Sequence, residues 1–200
     1  MSIQIEIDKL QTHAEGYASW GNLDIQYVGI RKDNSIHVLN VNENKEIDIT
    51  NESIQDNLQY VVIKEIFAKR KNIQAVIIAK QMYGSSVKTE IPSILDDQAQ
   101  LLGVSIKIAH IKQTTANVNR DYVIRALRGR FACIDSNGLV YSIGDSLEDT
   151  YVAAWLVEKT SKAFLESKYL GGAKSINKIE AWLMHKFYRL KYSKEAEKNK

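Results

Sequence analysis

The 200-residue sequence holds one cysteine, one proline and four histidines. With Cys133 as the sole thiol, no intrachain disulfide can form, and an oxidising compartment is not suggested. The single proline, Pro92, and ten dispersed glycines leave no stretch composed like a flexible linker, and no repeat recurs at solenoid or propeller periods. No apolar run approaches the roughly 20 residues that a spanning helix needs. Residues 1–10 carry Glu6 and Asp8 where a secretory signal would have a basic start and an apolar stretch. A cytoplasmic location without membrane contact is therefore expected. Charge of one sign is scarce too: the net charge is +3, lysine and arginine are interleaved with acids, and no basic stripe marks a nucleic-acid groove.

What is present is ordinary globular usage, 44% hydrophobic and 26% charged, in a length that suits one core. One domain over residues 1–190 is expected, followed by a charged tail at 191–200 that frays in solvent. Residues 23–30 and 35–41 are β-rich and flank the polar turn Arg31, Lys32, Asp33, Asn34, which predicts a hairpin. Ile54, Leu58, Val62 and Ile66 recur every four residues as a helical stripe. The continuous apolar run at 73–79 predicts a central strand buried on both faces. Pro92 is expected to open a short helix that Gly103 ends, followed by an alternating strand from Val104 to His110. A helix at 119–128 and strands at 131–134 and 139–143 come next. Ser146 with Asp149 forms a capping-box pattern ahead of a long helix whose face carries Leu147, Tyr151, Ala154 and Trp155, and which Gly171 and Gly172 break. Ile176, Ile179, Leu183, Phe187 and Leu190 mark a last amphipathic helix, with its stripe packed on the body or on another subunit. Residues 1–18 show no clean helical stripe. Strands mixed with helices throughout indicate a layered α/β domain.

An ordered series of segments carries a resemblance. Ala75-Val76-Ile77-Ile78-Ala79-Lys80-Gln81-Met82-Tyr83 is similar to a strand that reads A-V-V-H-T-H-S-P-Y in the class II aldolase/adducin domain family, the fuculose-phosphate aldolase and ribulose-phosphate epimerase type. The helix at 91–103, the Ser136-Asn137-Gly138 turn in place of N-H-G, the Gly144-Asp145-Ser146-Leu147 entry and the Leu170-Gly171-Gly172 end follow in family order. Upstream, Gly21-Asn22-Leu23-Asp24-Ile25-Gln26 resembles G-N-[IL]-S-x-R, with Asp24 for the serine and Gln26 for the arginine. The resemblance implies a single three-layer α/β/α domain with a central mixed, mostly antiparallel sheet, and a homotetramer. It also implies a weakened phosphate-binding loop, because Asp24 adds negative charge where the family has a hydroxyl.

In zinc-binding members the H-x-H pair projects from one face of its strand and a third histidine comes from the N-H-G turn, leaving zinc an open position for substrate oxygens. The resemblance places Ile78, Lys80 and Asn137 at those three positions, and Gln59, nineteen residues before Ile78, at that of the catalytic glutamate. Ile78 has no lone pair, the Lys80 ammonium repels a divalent cation, and the Asn137 amide is a poor zinc ligand beside imidazole. The Gln59 amide is no carboxylate base. His13, His37, His110 and His185 share no ligand spacing. Cys133 is expected to be a core residue, and Asp96 and Asp97 to serve the first turn of their helix. Lys80 is expected to be a salt-bridged or snorkelling lysine, a buried charge with an acidic or anionic partner, rather than a Schiff-base amine.

No cofactor and no metal are therefore expected. The leading expectation is a non-catalytic binding or scaffold homo-oligomer, similar in logic to the adducin branch, with an unknown protein partner or a small anionic ligand. Gly21, Asn22, Gln59, Lys80, Tyr83 and Asn137 are the candidate pocket residues. The alternative is a zinc-independent or residual aldolase or epimerase acting on a small sugar phosphate or hydroxy-acid.

Overall fold

Alternating residues from Leu23 and Ser35 pair as the expected hairpin, β1 (Leu23–Lys32) with β2 (Ser35–Asn40), closed at Asp33, whose φ of 51° an aspartate tolerates. The computed structural model describes residues 2–12, 14–51, 57–112 and 115–198. After β3 (Lys45–Asp48) comes α2 (Leu58–Lys69), preceded at the start of the chain by α1 (Ile3–Thr12). Then follow β4 (Ala75–Gln81), β5 (Ile91–Pro92), α3 (Asp96–Leu102), β6 (Ser105–Ala109), α4 (Ala116–Ala126), β7 (Ala132–Asp135), β8 (Leu139–Gly144), α5 (Leu147–Ser167) and α6 (Lys178–Lys198).

The strands form one eight-stranded sheet in the order β3-β2-β1-β4-β8-β7-β6-β5, antiparallel except where β6 runs parallel to β7. This is a single mixed, mostly antiparallel α/β domain. Strand β4 lies between β1 and β8 and alternates between two cores. Val76 and Ile78 join α2 and α4, whereas Ile77 and Ala79 join α1 and α5. The helices thus cover both faces, and the expectation of a strand buried on both sides holds for Ala75 through Ala79.

Ser146 Oγ accepts from Asp149 N at 3.0 Å and starts α5 as its capping pattern predicts. Other expectations need correction. Residues 3–12 do form a helix: Ile3 and Ile7 are buried one turn apart, with Leu10 half-buried beside them. Pro92 opens no helix. It pairs with Ser105 in the short strand β5, and α3 begins four residues later, because the Pro92 carbonyl and Ile94 N–H are held by the Gln98 side chain. Ile54 lies outside the described residues, and α2 begins only at Leu58 with Asn57 Oδ1 accepting from Tyr60 N. His110 lies just past the end of β6 and is exposed, so it continues no apolar face. Finally, α6 runs on to Lys198, in keeping with the good helix formers lysine, glutamate and alanine there.

Candidate ligand site

Pairing across the sheet sets Tyr27, Ile78, Tyr141 and Cys133 in one row. Ile78, Tyr141 and Cys133 are each 0% exposed, and Tyr27 meets Tyr60 edge-on with centroids 5.7 Å apart. Gln59, half-buried in the first turn of α2, precedes Tyr60 directly. Ile78, which the sequence resemblance sets at the first ligand position, is thus packed as hydrophobic core. Burial of the Cys133 thiol, reinforced by nearby Asp135, pushes its pKa well above the usual range, which keeps it an inert thiol as expected of a core cysteine.

Two residues beyond Ile78, Lys80 falls on the same face by strand parity but is exposed, opposite Asp24 and Leu139 in register. Lys80 is therefore not a buried charge demanding a partner: its side chain is exposed near the end of the strand, where water solvates the ammonium, as a snorkelling lysine would be. Asn137 is exposed at the tip of the β7–β8 turn, and its N–H donates to Asp135 Oδ1 at 2.8 Å. Asp135 is 1% exposed and also accepts from Leu139 N (3.0 Å) and the Tyr141 hydroxyl (3.2 Å). Asp24 and Gln26, the two departures in the upstream loop, bond each other, Gln26 Nε2 donating to Asp24 Oδ2 at 2.8 Å.

A residue that sequence reasoning passed over assembles this rim. Glu158 of α5 is 0% exposed, and its carboxylate accepts from the backbone N–H groups of Asn22 (3.1 Å), Met82 (2.9 Å), Tyr83 (3.0 Å) and Gly84 (2.8 Å). Gly21 must be glycine here, because its φ is 147° and a methyl group on its Cα would collide with the Glu158 carboxylate. Ser85 then donates to the Gly138 carbonyl at 2.7 Å and joins the Asn137 turn to the same structure. Glu158 thus fastens Gly21, Asn22 and Tyr83 at the end of β4, beside Lys80 and the Asn137 turn. Gln59, on α2, takes part in none of these hydrogen bonds. The signal was there: Leu147, Tyr151 and Ala154 continue at helical spacing to Glu158, a lone carboxylate on an apolar stripe. A cavity of about 490 Å³ adjoins Tyr83, lined also by Leu165, Glu166, Lys168 and Tyr169.

Zinc does not fit the residues found at the family's position. Ile78 offers no donor atom, Lys80 brings a cation, and the nearby carboxylate of Asp135 is already committed to three hydrogen bonds. Among the described residues no three His, Cys, Asp or Glu side chains cluster as metal ligands, and no helix is long and apolar enough to cross a membrane. His37 lies by Glu46 and His185 by the Gln100 carbonyl, far apart in the sequence and on different elements; His13 lies outside the described residues.

The sheet, covered by helices on both faces, thus gathers a glycine-asparagine loop, a strand end and a turn at one edge of a single α/β domain. Residues 23–165 match the model of the class II aldolase and adducin N-terminal domain, and the chain belongs to that family. It is similar to an L-fuculose 1-phosphate aldolase (14% identity, TM-score 0.68, covering 94% of this chain and 98% of that one). An L-fuculose-1-phosphate aldolase from Thermus thermophilus is also similar (12%, TM-score 0.61, 84% and 95%), as is YgbL from Escherichia coli (7%, TM-score 0.66, 89% and 96%). At such identities the likeness is one of fold. No curated protein sequence matches the chain.

Proposed function

We propose that this chain is a non-catalytic member of its family, a binding or scaffold homo-oligomer that has exchanged the zinc site for hydrophobic core. The observation that supports this most is Ile78, fully buried in the row it shares with Tyr141 and Cys133 at a position where the chemistry needs an imidazole. With Gln59 in place of the glutamate, the proton-transfer step lacks its base as well. The Glu158 network adds support, since it keeps the rim geometry without the metal chemistry. A tetramer is the assembly that the family resemblance suggests, and a protein partner or a small anion at the Lys80 and Asn137 rim is the ligand class its polar groups suit.

The test is a retro-aldol assay on ketose 1-phosphates with excess zinc, alongside thermal-shift titration of the same sugar phosphates. The expected result is no turnover above the protein-free rate. Zinc-dependent turnover that a chelator abolishes would overturn the reading. A second reading, a zinc-independent enzyme, draws on the exposure of Lys80 and Asn137 at one edge of the sheet. It requires borohydride with a carbonyl substrate to label Lys80 selectively.

A further inference from the structure

Helix α6 has two working faces. One is docked on the body: Ala181 is 0% exposed, His185 Nδ1 contacts the Gln100 carbonyl at 2.7 Å, and Arg189 pairs with Asp145. The other bears Ile179, Trp182, Leu183, Phe187 and Leu190, which are 71%, 50%, 41%, 67% and 57% exposed. Of the two places expected for this stripe, the body or another subunit, the body is not the one it meets. Half of the exposed large hydrophobic side chains among the described residues lie on these few turns.

We propose that this outward face pairs with the same face of a second copy, the two α6 helices running antiparallel about a twofold axis. A twofold contact uses one patch twice, so the patch must complement itself. Ile179, Trp182, Leu183, Lys186, Phe187 and Leu190 have a spacing that reads the same in both directions, three, one, three, one, three. Antiparallel pairing about its centre sets Ile179 against Leu190, Trp182 against Phe187, and Leu183 against the alkyl stem of Lys186. Aromatic thus meets aromatic and aliphatic meets aliphatic, while the Lys186 ammonium, 5.8 Å from the Trp182 ring centroid, leaves along the rim.

The size suits a reversible dimer. Fully exposed aromatic side chains present about 150–250 Å² each, so this stripe offers roughly 500–600 Å² per copy, somewhat below the ~800 Å² per partner of a standard interface. A bilayer is the competing occupant, and binding of the full chain to anionic lipid vesicles tells it apart from self-association. This contact surface is independent of the metal-site reading, since its test measures mass and not turnover.

Sedimentation velocity of the full chain from about 1 to 200 μM reads the association, with a dissociation constant expected in the micromolar range. Leu183→Glu and Phe187→Glu replace outward-facing side chains, so thermal unfolding should stay unchanged while the dissociation constant rises at least about 100-fold. Orientation follows from mixing Ile179→Cys with Leu190→Cys under mild oxidation; the native thiol, Cys133, is buried. The mixed disulfide should dominate over either homodisulfide. Association unaffected by either glutamate variant, homodisulfides in excess, a monomer throughout the concentration range, or a monomer that instead binds anionic lipid vesicles would each overturn the proposal. Persistence of a higher oligomer in Leu183→Glu would remove α6 as its contact and leave the scaffold reading standing.

Discussion

Glu158 shows how a single side chain can hold a loop, a strand end and a turn together. A buried carboxylate with four backbone N–H partners is stabilised by charge-assisted hydrogen bonds, and Glu158→Gln sets an amide NH₂ against donors that need an acceptor. The expected loss is about 2–4 kcal/mol, read as a shift in the urea midpoint. Asp135 acts in the opposite sense. Burial raises its carboxyl above the ordinary 3.8, against hydrogen bonds from Leu139, Tyr141 and Asn137 that lower it. A raised carboxyl contributes stability that is complete below 3.8 and lost as pH rises through the folded value, so the ionised form is a cost near neutrality. Asp135→Asn keeps an oxygen for the turn and should be no less stable than the parent at pH 7. Denaturant titrations of both proteins should then show the parent gaining on the variant as pH falls toward 3.

At the level of elements, α6 carries a titratable group packed on the body. His185 lies among Arg70, Arg189 and Lys186 and against the Phe131 ring, 5.3 Å between centroids. Burial lowers its pKa from 6.5, the Gln100 carbonyl opposes this, and the neighbouring cations add to the lowering. A lowered imidazole gives stability that is present above 6.5 and lost as pH falls through the folded value. Hydrogen exchange of α6 amides, corrected for intrinsic rates, should accelerate several-fold from pH 7.5 to 5 in the parent and stay level in His185→Gln. The elements with local signatures were legible in the sequence: the hairpin by its alternation, α5 by its capping serine, and β4 by its unbroken apolar run. Pro92 and α1 were not. The side chain of Gln98 decides where α3 starts, and the α1 stripe consists of Ile3 and Ile7, too few residues to register without the sheet they cover.

For the whole molecule, the fold could be recognised from an ordered series of motifs spread along the chain, each weak on its own. The identities of Ile78, Lys80 and Asn137 at the positions where the resemblance sets zinc ligands, and of Gln59 where it sets the glutamate, could also be read from the sequence. Exposure was not visible: that of Lys80 depends on where β4 ends relative to β1 and β8, and the outward stripe of α6 depends on which face Ala181, His185 and Arg189 turn to the body. The Glu158 network joins residues more than seventy positions apart, so only the tertiary structure discloses its partners. The central claim is that this family member has lost its metal site, and it meets its most direct test in isothermal titration of zinc into chelator-stripped, tag-free protein. No site tighter than about 10 μM is expected. One zinc per chain bound at submicromolar affinity, and lost on Asn137→Ala, would contradict it.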